Sequence, residues 1–560
     1  MNIFVLFLPG FFASPLYFTN QYIVPISLTS ISIDQRTLTE KDFIPLNLFT
    51  LDKRQPPQPF NFLFLGKKVV HCNLQIPFTE NKNVKLFRLK TDNQTFPLLI
   101  DTIKNNYSFK FIVDDLVRFC PFGVINENGQ VQYYSNFHFD LYYNGNYVIK
   151  YDVTPQKLMD LLQKHNLKIT ATAEWHSSTV TVNNRLELFV SDTFSNIKIH
   201  IYSLIQLIFQ IVVISIIIYL IYQQMMADFN FSQSMVDFDD FEVKTKDRGW
   251  KMLHGDIFRN PSNSILLTIF VGSGSNLFLT MLLLLISCCC VNIEYAKDNF
   301  LYFGIFFYVI SSIFSGFFTT TLSNIFGERK WLRSVLGAAY FFPVFGELFL
   351  VIGNFFGGRS FFFTPIFVIL LILLVPVLIL SILGSIYSIR KRLFTKLPCE
   401  IALVPRQIPK LPWYLNGWFV CLIVGIFISI SFITELFYIL HSFFLSHVYN
   451  LYTYLTLTFL FIFVLSGLST IIIIYFRLQA ESYKWQWISF LAPMTSGLFV
   501  WIYCIIFYYY YSLGFTVAQF LSYLFKTLII SFVFGLVNGF GGYVGATAFI
   551  RVTFSNLKLD

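Results

Sequence analysis

Two glutamates, Glu347 and Glu435, lie inside long apolar runs in which ionisable side chains are scarce. An acidic residue at the centre of a membrane costs about 2.5 to 3.5 kcal/mol, so such residues usually serve a function or find a partner. Three functions fit: a proton-sensing site, a cation path, or a polar groove that holds the membrane helix of another protein. A protonated carboxyl hydrogen-bonded to a neighbouring helix is the alternative, and both interpretations stay open. His441 and His447 follow the run of Glu435 and are candidates to titrate with these carboxyls.

Motifs for catalysis are absent from the rest of the chain. The sequence has no zinc-type pair of histidines with a glutamate, serine nucleophile elbow, phosphate-binding glycine loop or Cys-x-x-Cys. We therefore predict a non-enzyme with no cofactor and no metal site. Cys72 and Cys120 either form one disulfide, if their region faces an oxidising lumen, or are two free thiols. The triplets that begin at Asn93 and Asn106 are glycosylation acceptors by sequence.

Nine apolar runs must position the two glutamates. A helix needs roughly 20 apolar residues to cross a bilayer, because its backbone groups have to be satisfied within the segment. Glu347 falls in the fourth run and Glu435 in the sixth. The runs are approximately Ile201 to Tyr222, Ile265 to Ser287, Phe300 to Leu322, Val335 to Ile352, Phe361 to Tyr387, Trp418 to Leu440, Leu455 to Tyr475, Ile488 to Tyr511 and Leu524 to Phe549.

Composition and charge exclude two classes of protein. Hydrophobic residues make up 55% of the chain and charged residues 13%, which excludes a water-soluble protein. The net charge of +9 resides largely in short loops beside apolar runs, so we exclude nucleic acid as a partner and expect the lipid bilayer instead. Cations concentrate after the first, third, fifth and seventh runs. The positive-inside rule makes these loops cytosolic, the N-terminal region lumenal and the C-terminus cytosolic.

The region before the first run has a different pattern. Short β-branched and aromatic segments predict a lumenal, sandwich-like β-rich domain over residues 15–200, after a candidate signal segment at 1–14. One helix is predicted from Thr154 to His165. The membrane part then covers 201–550, and 551–560 form a cytosolic tail. The predicted strands are Lys85 to Lys90, Phe109 to Val113, Phe137 to Tyr143, Ile169 to Glu174 and Leu186 to Val190, with turns at Asn128-Gly129 and Asn144-Gly145.

Glycines recur along the last apolar run. Small residues four apart allow helix backbones to approach closely, so this run is predicted to pack tightly inside the bundle. Docking of a partner's glycine-rich helix is the alternative. The glycines concerned are Gly535, Gly539, Gly541 and Gly545.

Several motifs occur in order along the membrane part. Gly249-Trp250-Lys251 leads to His254-Gly255-Asp256 and Phe258-Arg259; Arg406-Gln407-Ile408-Pro409 and Glu435-Leu436-Phe437 follow. The stretch from Tyr475 to Trp487 completes the series. In these motifs the chain resembles the nonaspanins, the transmembrane nine superfamily. Asn136-Phe137-His138-Phe139-Asp140 is similar to a landmark of that family's lumenal region.

The resemblance implies a nine-helix protein of Golgi and endosomal membranes. It implies roles in sorting and membrane localisation of other transmembrane proteins, its cargo, and in adhesion or phagocytosis. The final residues Lys558-Leu559-Asp560 are similar to the family's C-terminal address, which in relatives is read by the COPI coat. The rival hypothesis is a proton- or cation-coupled transporter of acidic compartments that uses Glu347 and Glu435.

Overall fold

A computed structural model describes most of the chain. The described residues are 23–33, 74–77, 82–90, 100, 103–104, 107–113, 116–126, 130–145, 147–160, 166–181, 197–236, 249–290, 293–328, 330–356, 363–391, 397–445, 452–510 and 517–555. Several sequence-based predictions fall outside these ranges and stay predictions. They concern the segment 1–14, Cys72, Asn93, Asn106, the turn at 128–129, the strand at 186–190, His447, Lys558 and Asp560.

The N-terminal region contains nine strands in the part that the structure describes. This confirms the predicted β-rich domain, and four of the five predicted strand segments lie within observed strands. The strands are β1 (Ile23–Ile33), β2 (Leu74–Pro77), β3 (Lys82–Lys90), β4 (Tyr107–Val113), β5 (Leu116–Pro121), β6 (Gly123–Ile125), β7 (Val131–Asn144), β8 (Tyr147–Asp160) and β9 (Asn166–Ser177).

The strands form two sheets. One has the order β2-β1-β4-β5, and the other has the order β3-β9-β7-β6 with β8 also paired to β7. The side chain of Phe111 from the first sheet packs against Phe137 and Phe139 of the second, with ring centroids 5.5 and 5.2 Å apart. Tyr151 donates its hydroxyl hydrogen to the carbonyl of Phe111 at 2.7 Å. All four rings are fully buried, so this aromatic cluster joins the two sheets.

The helix predicted from Thr154 to His165 is wrong over its described residues. Residues up to Asp160 belong to β8, which pairs with β7 in antiparallel register from Asn144↔Tyr147 to Gln132↔Asp160. Gly145, with φ of +59°, begins the tight connection between the two strands. Tertiary pairing with β7 overrides the local helical pattern, since a helix in this place would leave the backbone groups of β7 that face β8 without ladder partners.

Cys120, one of the two predicted disulfide partners, lies in β5. Its thiol is buried, and burial raises the pKa of this group to about 12. The thiol is therefore neutral and unreactive in this state. Its proposed partner Cys72 lies outside the described residues, so the disulfide stays a prediction.

The membrane part is a helical bundle. Within the described residues, nine helical segments are long and apolar enough to cross a membrane, as predicted; α8 and α9 together make the eighth. The helices are α1 (Ile197–Val236), α2 (Ser264–Cys290), α3 (Ile293–Ile325), α4 (Trp331–Phe356), α5 (Phe363–Lys391), α6 (Gly417–Leu445), α7 (Tyr452–Gln479), α8 (Gln486–Met494), α9 (Ser496–Tyr510) and α10 (Val517–Ser555).

The helices extend beyond the predicted runs at one or both ends. The first run was predicted to end at Tyr222, but α1 continues to Val236. Hydropathy marks only the apolar portion of a helix, whereas its hydrogen bonds continue into polar sequence. The eighth segment is interrupted at Thr495, directly after Pro493 and Met494. Thr495 donates its hydroxyl hydrogen to the carbonyl of Cys421 at 2.5 Å, which fixes this interruption against α6.

Candidate functional site

Glu435 is paired with a histidine from another helix. Its carboxyl Oε1 lies 2.8 Å from Nδ1 of His200, which belongs to the first turn of α1. Both side chains are buried, with exposed fractions of 0% and 1%. The imidazole ring also contacts Tyr438 and Tyr454, at centroid distances of 4.5 and 6.1 Å. The pair therefore connects α1, α6 and α7 at the end of the bundle where α1 begins.

This pairing explains how α6 carries a carboxyl inside the membrane. A carboxyl that loses its water must regain a hydrogen-bonding partner, and the imidazole supplies it whichever group holds the proton. A second bond between the same helices runs from the Ser431 hydroxyl to Oε1 of Gln210, at 2.8 Å. Together these contacts form a polar clasp, defined here as His200, Gln210, Ser431 and Glu435. The clasp attaches α1, whose outer face is widely exposed, to the bundle.

Sequence reasoning missed His200. The predicted first run began at Ile201, so His200 counted as the last residue of the polar region. His441, one of the two histidines proposed instead, donates from Nδ1 to the carbonyl of Phe437 at 2.8 Å. Its ring packs against Phe437 and Phe507. The signal that could have found His200 is a lone histidine within one turn of an apolar run.

Glu347 lies in a different part of the bundle. It belongs to α4, whose main neighbours are α2, α3, α5 and α10, whereas α6 packs mainly against α1, α7, α8 and α9. The side chain of Glu347 is partly exposed and lies between Val344 and Leu348, which are 52% and 54% exposed. Among the described residues no hydrogen bond or ion pair involves its carboxyl. The two predicted intramembrane carboxyls therefore belong to separate helix groups and separate environments.

The glycines of α10 face neighbouring helices. A Cβ added to Gly545 would lie 2.8 Å from Cα of Gly467 in α7, and one added to Gly539 would lie 3.0 Å from the Phe490 ring in α8. A Cβ on Gly535 would lie 2.7 Å from the carbonyl oxygen of Met494. Gly541 approaches Ser466 and Phe463 of α7 just as closely. These positions leave no room for a side chain, because the helix backbones are in direct contact.

A second polar group of residues lies at the opposite end of the bundle. It joins three connectors: the one after α1, the one before α6 and the one after α7. Asp256 accepts two bonds from the Arg259 guanidinium, at 2.9 and 2.6 Å, and one from the backbone N–H of Arg406, at 3.2 Å. The Arg406 guanidinium contacts Glu481 at 2.9 Å, and Glu481 also accepts from the backbone N–H of Gly249 at 3.4 Å.

Aromatic and amide side chains complete this interloop cluster. The Trp485 indole donates to the carbonyl of Ile257 at 2.8 Å, and the Gln486 amide donates to that of Arg259 at 2.9 Å. Nearby, burial raises the pKa of the Cys399 thiol, which disfavours its nucleophilic thiolate form. The interloop cluster, defined as Gly249, Asp256, Arg259, Arg406, Glu481 and Trp485, thus has its two cations matched to its two anions. Its ion pairs and hydrogen bonds hold the three connectors together.

The residues of this cluster come from the sequence motifs that resemble the nonaspanins. The family model described as Endomembrane protein 70 matches residues 47–520, which is most of the chain. The chain belongs to the endomembrane protein 70 family. Motifs that are far apart in the sequence of this endomembrane protein 70 chain therefore meet in one place, where they hold three connectors together.

Curated relatives of this endomembrane protein 70 chain carry the name of the transmembrane nine superfamily. Transmembrane 9 superfamily member 4 of Arabidopsis thaliana is 26% identical over 88% of this chain and 86% of the relative. The human protein of the same name is 27% identical over 73% of this chain and 63% of the relative. Member 10 of Arabidopsis thaliana is 29% identical over 58% and 51%. The chain thus spans less than two thirds of the latter two. No solved structure matches.

Proposed function

We propose that this membrane protein sorts other transmembrane proteins in Golgi and endosomal membranes by holding their membrane helices at the face of α4. The observation that carries the proposal is the carboxyl of Glu347, which is partly exposed and has no partner among the described residues. A polar group exposed to acyl chains is unfavourable, so a helix that offers it a hydrogen bond gains binding energy there.

The surroundings of Glu347 support capture of a helix. Val344 and Leu348 supply an apolar surface on either side of the carboxyl. Gly346 itself is buried, so the exposed surface beside the carboxyl is supplied by the two apolar side chains. Small residues on a cargo helix would pack closely against such a surface and bring a polar group to the carboxyl.

The polar clasp argues against an ion path, and the distribution of cations supports the orientation that the proposal requires. An ion path through both Glu347 and Glu435 would need the two carboxyls along one route, but Glu435 is bonded to His200 in the other helix group. This arrangement does not favour the transporter hypothesis. The cation-rich connectors support a cytosolic interloop cluster and a lumenal β-rich domain. A lumenal domain would make Asn93 and Asn106 accessible for glycosylation.

The C-terminal tail supplies the second half of the sorting cycle. Lys558 and Asp560, displayed in the cytosol, would bind the COPI coat, so that one molecule holds cargo and coat together. Retrieval would then set how much cargo reaches the cell surface, and adhesion or phagocytosis would depend on the cargo delivered. Changing Lys558 and Asp560 to Ala should release the protein from the Golgi and abolish coat binding; unchanged retention would refute the tail assignment.

The decisive experiment changes Glu347→Leu and measures the surface level of a paired set of reporters. One reporter has a glycine-rich membrane helix with a serine, and the other has the same helix with leucine at those positions. We expect the variant to lower surface delivery of the first reporter at unchanged organelle pH. Val344→Leu on the same face is the matched control and should leave delivery intact. Normal delivery of both reporters with altered ion flux in purified vesicles would overturn the proposal.

A further inference from the structure

Four side chains of types that commonly bind metal ions lie on one outward face of the β-rich domain. β7 and β9 are parallel neighbours, and their register places Asp140 opposite Glu174 and Tyr142 opposite His176. Because alternate residues of a strand point to the same face, His138 joins this group from β7. Nε2 of His138 lies 3.2 Å from Oδ1 of Asp140 and 4.0 Å from Oε2 of Glu174. Nε2 of His176 lies 3.6 Å from the same Asp140 oxygen.

We propose that His138, Asp140, Glu174 and His176 bind one divalent cation of the Zn²⁺ type. Zinc takes imidazole nitrogen and carboxylate oxygen at about 2.0 to 2.2 Å in tetrahedral geometry, which puts neighbouring ligand atoms roughly 3.3 Å apart. The ligand atoms of His138, Asp140 and Glu174 all lie within 4.8 Å of one another and need only small side-chain shifts to meet that value. His176 is 3.6 Å from Asp140 and would turn towards the other two ligands to complete the set. Imidazole nitrogens favour such a metal over Ca²⁺ or Mg²⁺, which prefer oxygen ligands alone.

A hydrogen-bond network orients His138 for this role. Oγ1 of Thr172 lies 2.8 Å from Nδ1 of His138 and accepts from the Asn136 amide at 3.3 Å. Asn136 is fixed in turn, since it also donates to Gln156 at 3.2 Å and accepts from the Thr170 hydroxyl at 3.0 Å. In the tautomer that donates Nδ1–H to Thr172, which a metal bound at Nε2 requires, the lone pair of Nε2 points towards the two carboxylates. Metal-binding histidines commonly have such a second partner, which sets their tautomer and ring orientation.

The local charge also fits a dication. Asp152 lies opposite Asp140 on the same face, but it is neutralised by Arg118 at 3.2 Å and Lys150 at 3.1 Å. Within the described residues, neither lysine nor arginine lies within 4.0 Å of the carboxylates of Asp140 and Glu174, whose close ionisable neighbours are histidines. Two carboxylates beside two neutral imidazoles carry a charge of about −2, which one divalent cation balances.

The exposure of the ligands is graded. His138 and Asp140 are 17% and 27% exposed, whereas His176 and Glu174 are 45% and 53% exposed. The first two ligands therefore form a fixed base on β7, and the other two close over the ion from β9. Such a site exchanges metal with the surrounding solution and, when loaded, links the two parallel strands. We infer a structural ion that stiffens the centre of this sheet.

The test is a Zn²⁺ titration of the full-length protein in lipid nanodiscs, purified without a histidine tag, in competition with a chromophoric chelator. We expect one Zn²⁺ per chain, unaffected by excess Ca²⁺. His138→Gln and Glu174→Gln should each weaken this binding at least tenfold. The matched control is Asp152→Asn, which removes a neighbouring carboxylate from the same face and should leave the affinity unchanged.

A second variant pair separates loss of the site from loss of the fold. Thr172→Val should weaken Zn²⁺ binding by roughly 10- to 100-fold, because it removes the hydrogen bond that orients a ligating histidine. Thr172→Ser, which keeps the hydroxyl, should bind Zn²⁺ as tightly as the wild-type protein. Co²⁺ added to the wild-type protein should show the visible absorption of a tetrahedral nitrogen and oxygen site, and His138→Gln should lose it. Absence of stoichiometric binding, or equal affinity in all these variants, would overturn the proposal and leave an ordinary His–Asp hydrogen bond.

Discussion

Residues of the same type occupy opposite surroundings at different places in the bundle. Glu435 and Gly545 are enclosed: the first is bonded to His200 and the second contacts Gly467. Glu347 lies on α4, where its carboxyl is partly exposed, and Gly304 lies on α3, where nothing is within 4 Å of an added Cβ. Residue type alone therefore does not distinguish a structural position from a binding position in a membrane helix. The difference is whether the rest of the chain already satisfies the polar group or fills the space.

The largest loss of stability is expected in the polar clasp, on the enclosed side of this comparison. His200→Leu removes the imidazole that contacts the buried carboxyl of Glu435, and removal of one member of a buried pair costs about 3 to 5 kcal/mol. The free energy of unfolding, measured in detergent micelles, should fall by that order. Replacing both residues with Leu should recover most of the loss, because apolar substitutes for a buried pair are often neutral. A double variant as unstable as the single one would show that the pair is not the source of the effect.

The next largest loss of stability is expected at the closely packed glycine Gly545. Gly545→Ala forces a methyl group against the backbone of Gly467, and such overpacking costs about 1 to 3 kcal/mol. Gly304→Ala in α3 is the matched control, since nothing lies within 4 Å of the added Cβ. Alanine should even stabilise that position by up to about 1 kcal/mol through its higher helix propensity. Thermal unfolding of the two variants side by side checks the contrast; equal shifts would contradict it.

Sequence reasoning predicted the helices well because their signal is local. Each apolar run contains within itself the hydrogen bonds that membrane insertion requires, so length and hydropathy suffice. The partner of Glu435 could not be predicted in this way, because His200 lies in a helix far away in the sequence. The helix predicted at 154–165 failed for the same reason, since strand pairing with β7 decides the outcome. The proposed metal ligands did leave a local trace: His-x-Asp and Glu-x-His spacings put both members of each pair on one face of a strand.

The interloop cluster differs from both positions because its polar groups lie at the edge of the bundle. Substitutions there should change the free energy of unfolding by a smaller amount. Arg406 and Glu481 are 32% and 25% exposed, so solvent screens their attraction. Glu481→Gln should lower the free energy of unfolding by about 1 kcal/mol or less, since exposed ion pairs contribute only that much. The difference from wild type should shrink further in 1 M salt, where the Debye length is about 3 Å. A loss that is large and independent of salt would place this pair with the buried clasp instead.

The smallest change in stability is expected at Glu347. This prediction is the strictest test of the difference between Glu347 and Glu435. Glu347→Leu removes no hydrogen bond or ion pair among the described residues and places an apolar side chain beside Val344 and Leu348. The free energy of unfolding should stay within about 0.5 kcal/mol of wild type or rise, as for a substitution away from the core. Glu435→Leu, measured in parallel, should be clearly destabilising because it removes the buried contact between the carboxyl and the His200 imidazole. Equal losses in the two variants would mean that Glu347 is already satisfied within the protein, and capture of a cargo helix at α4 would lose its basis.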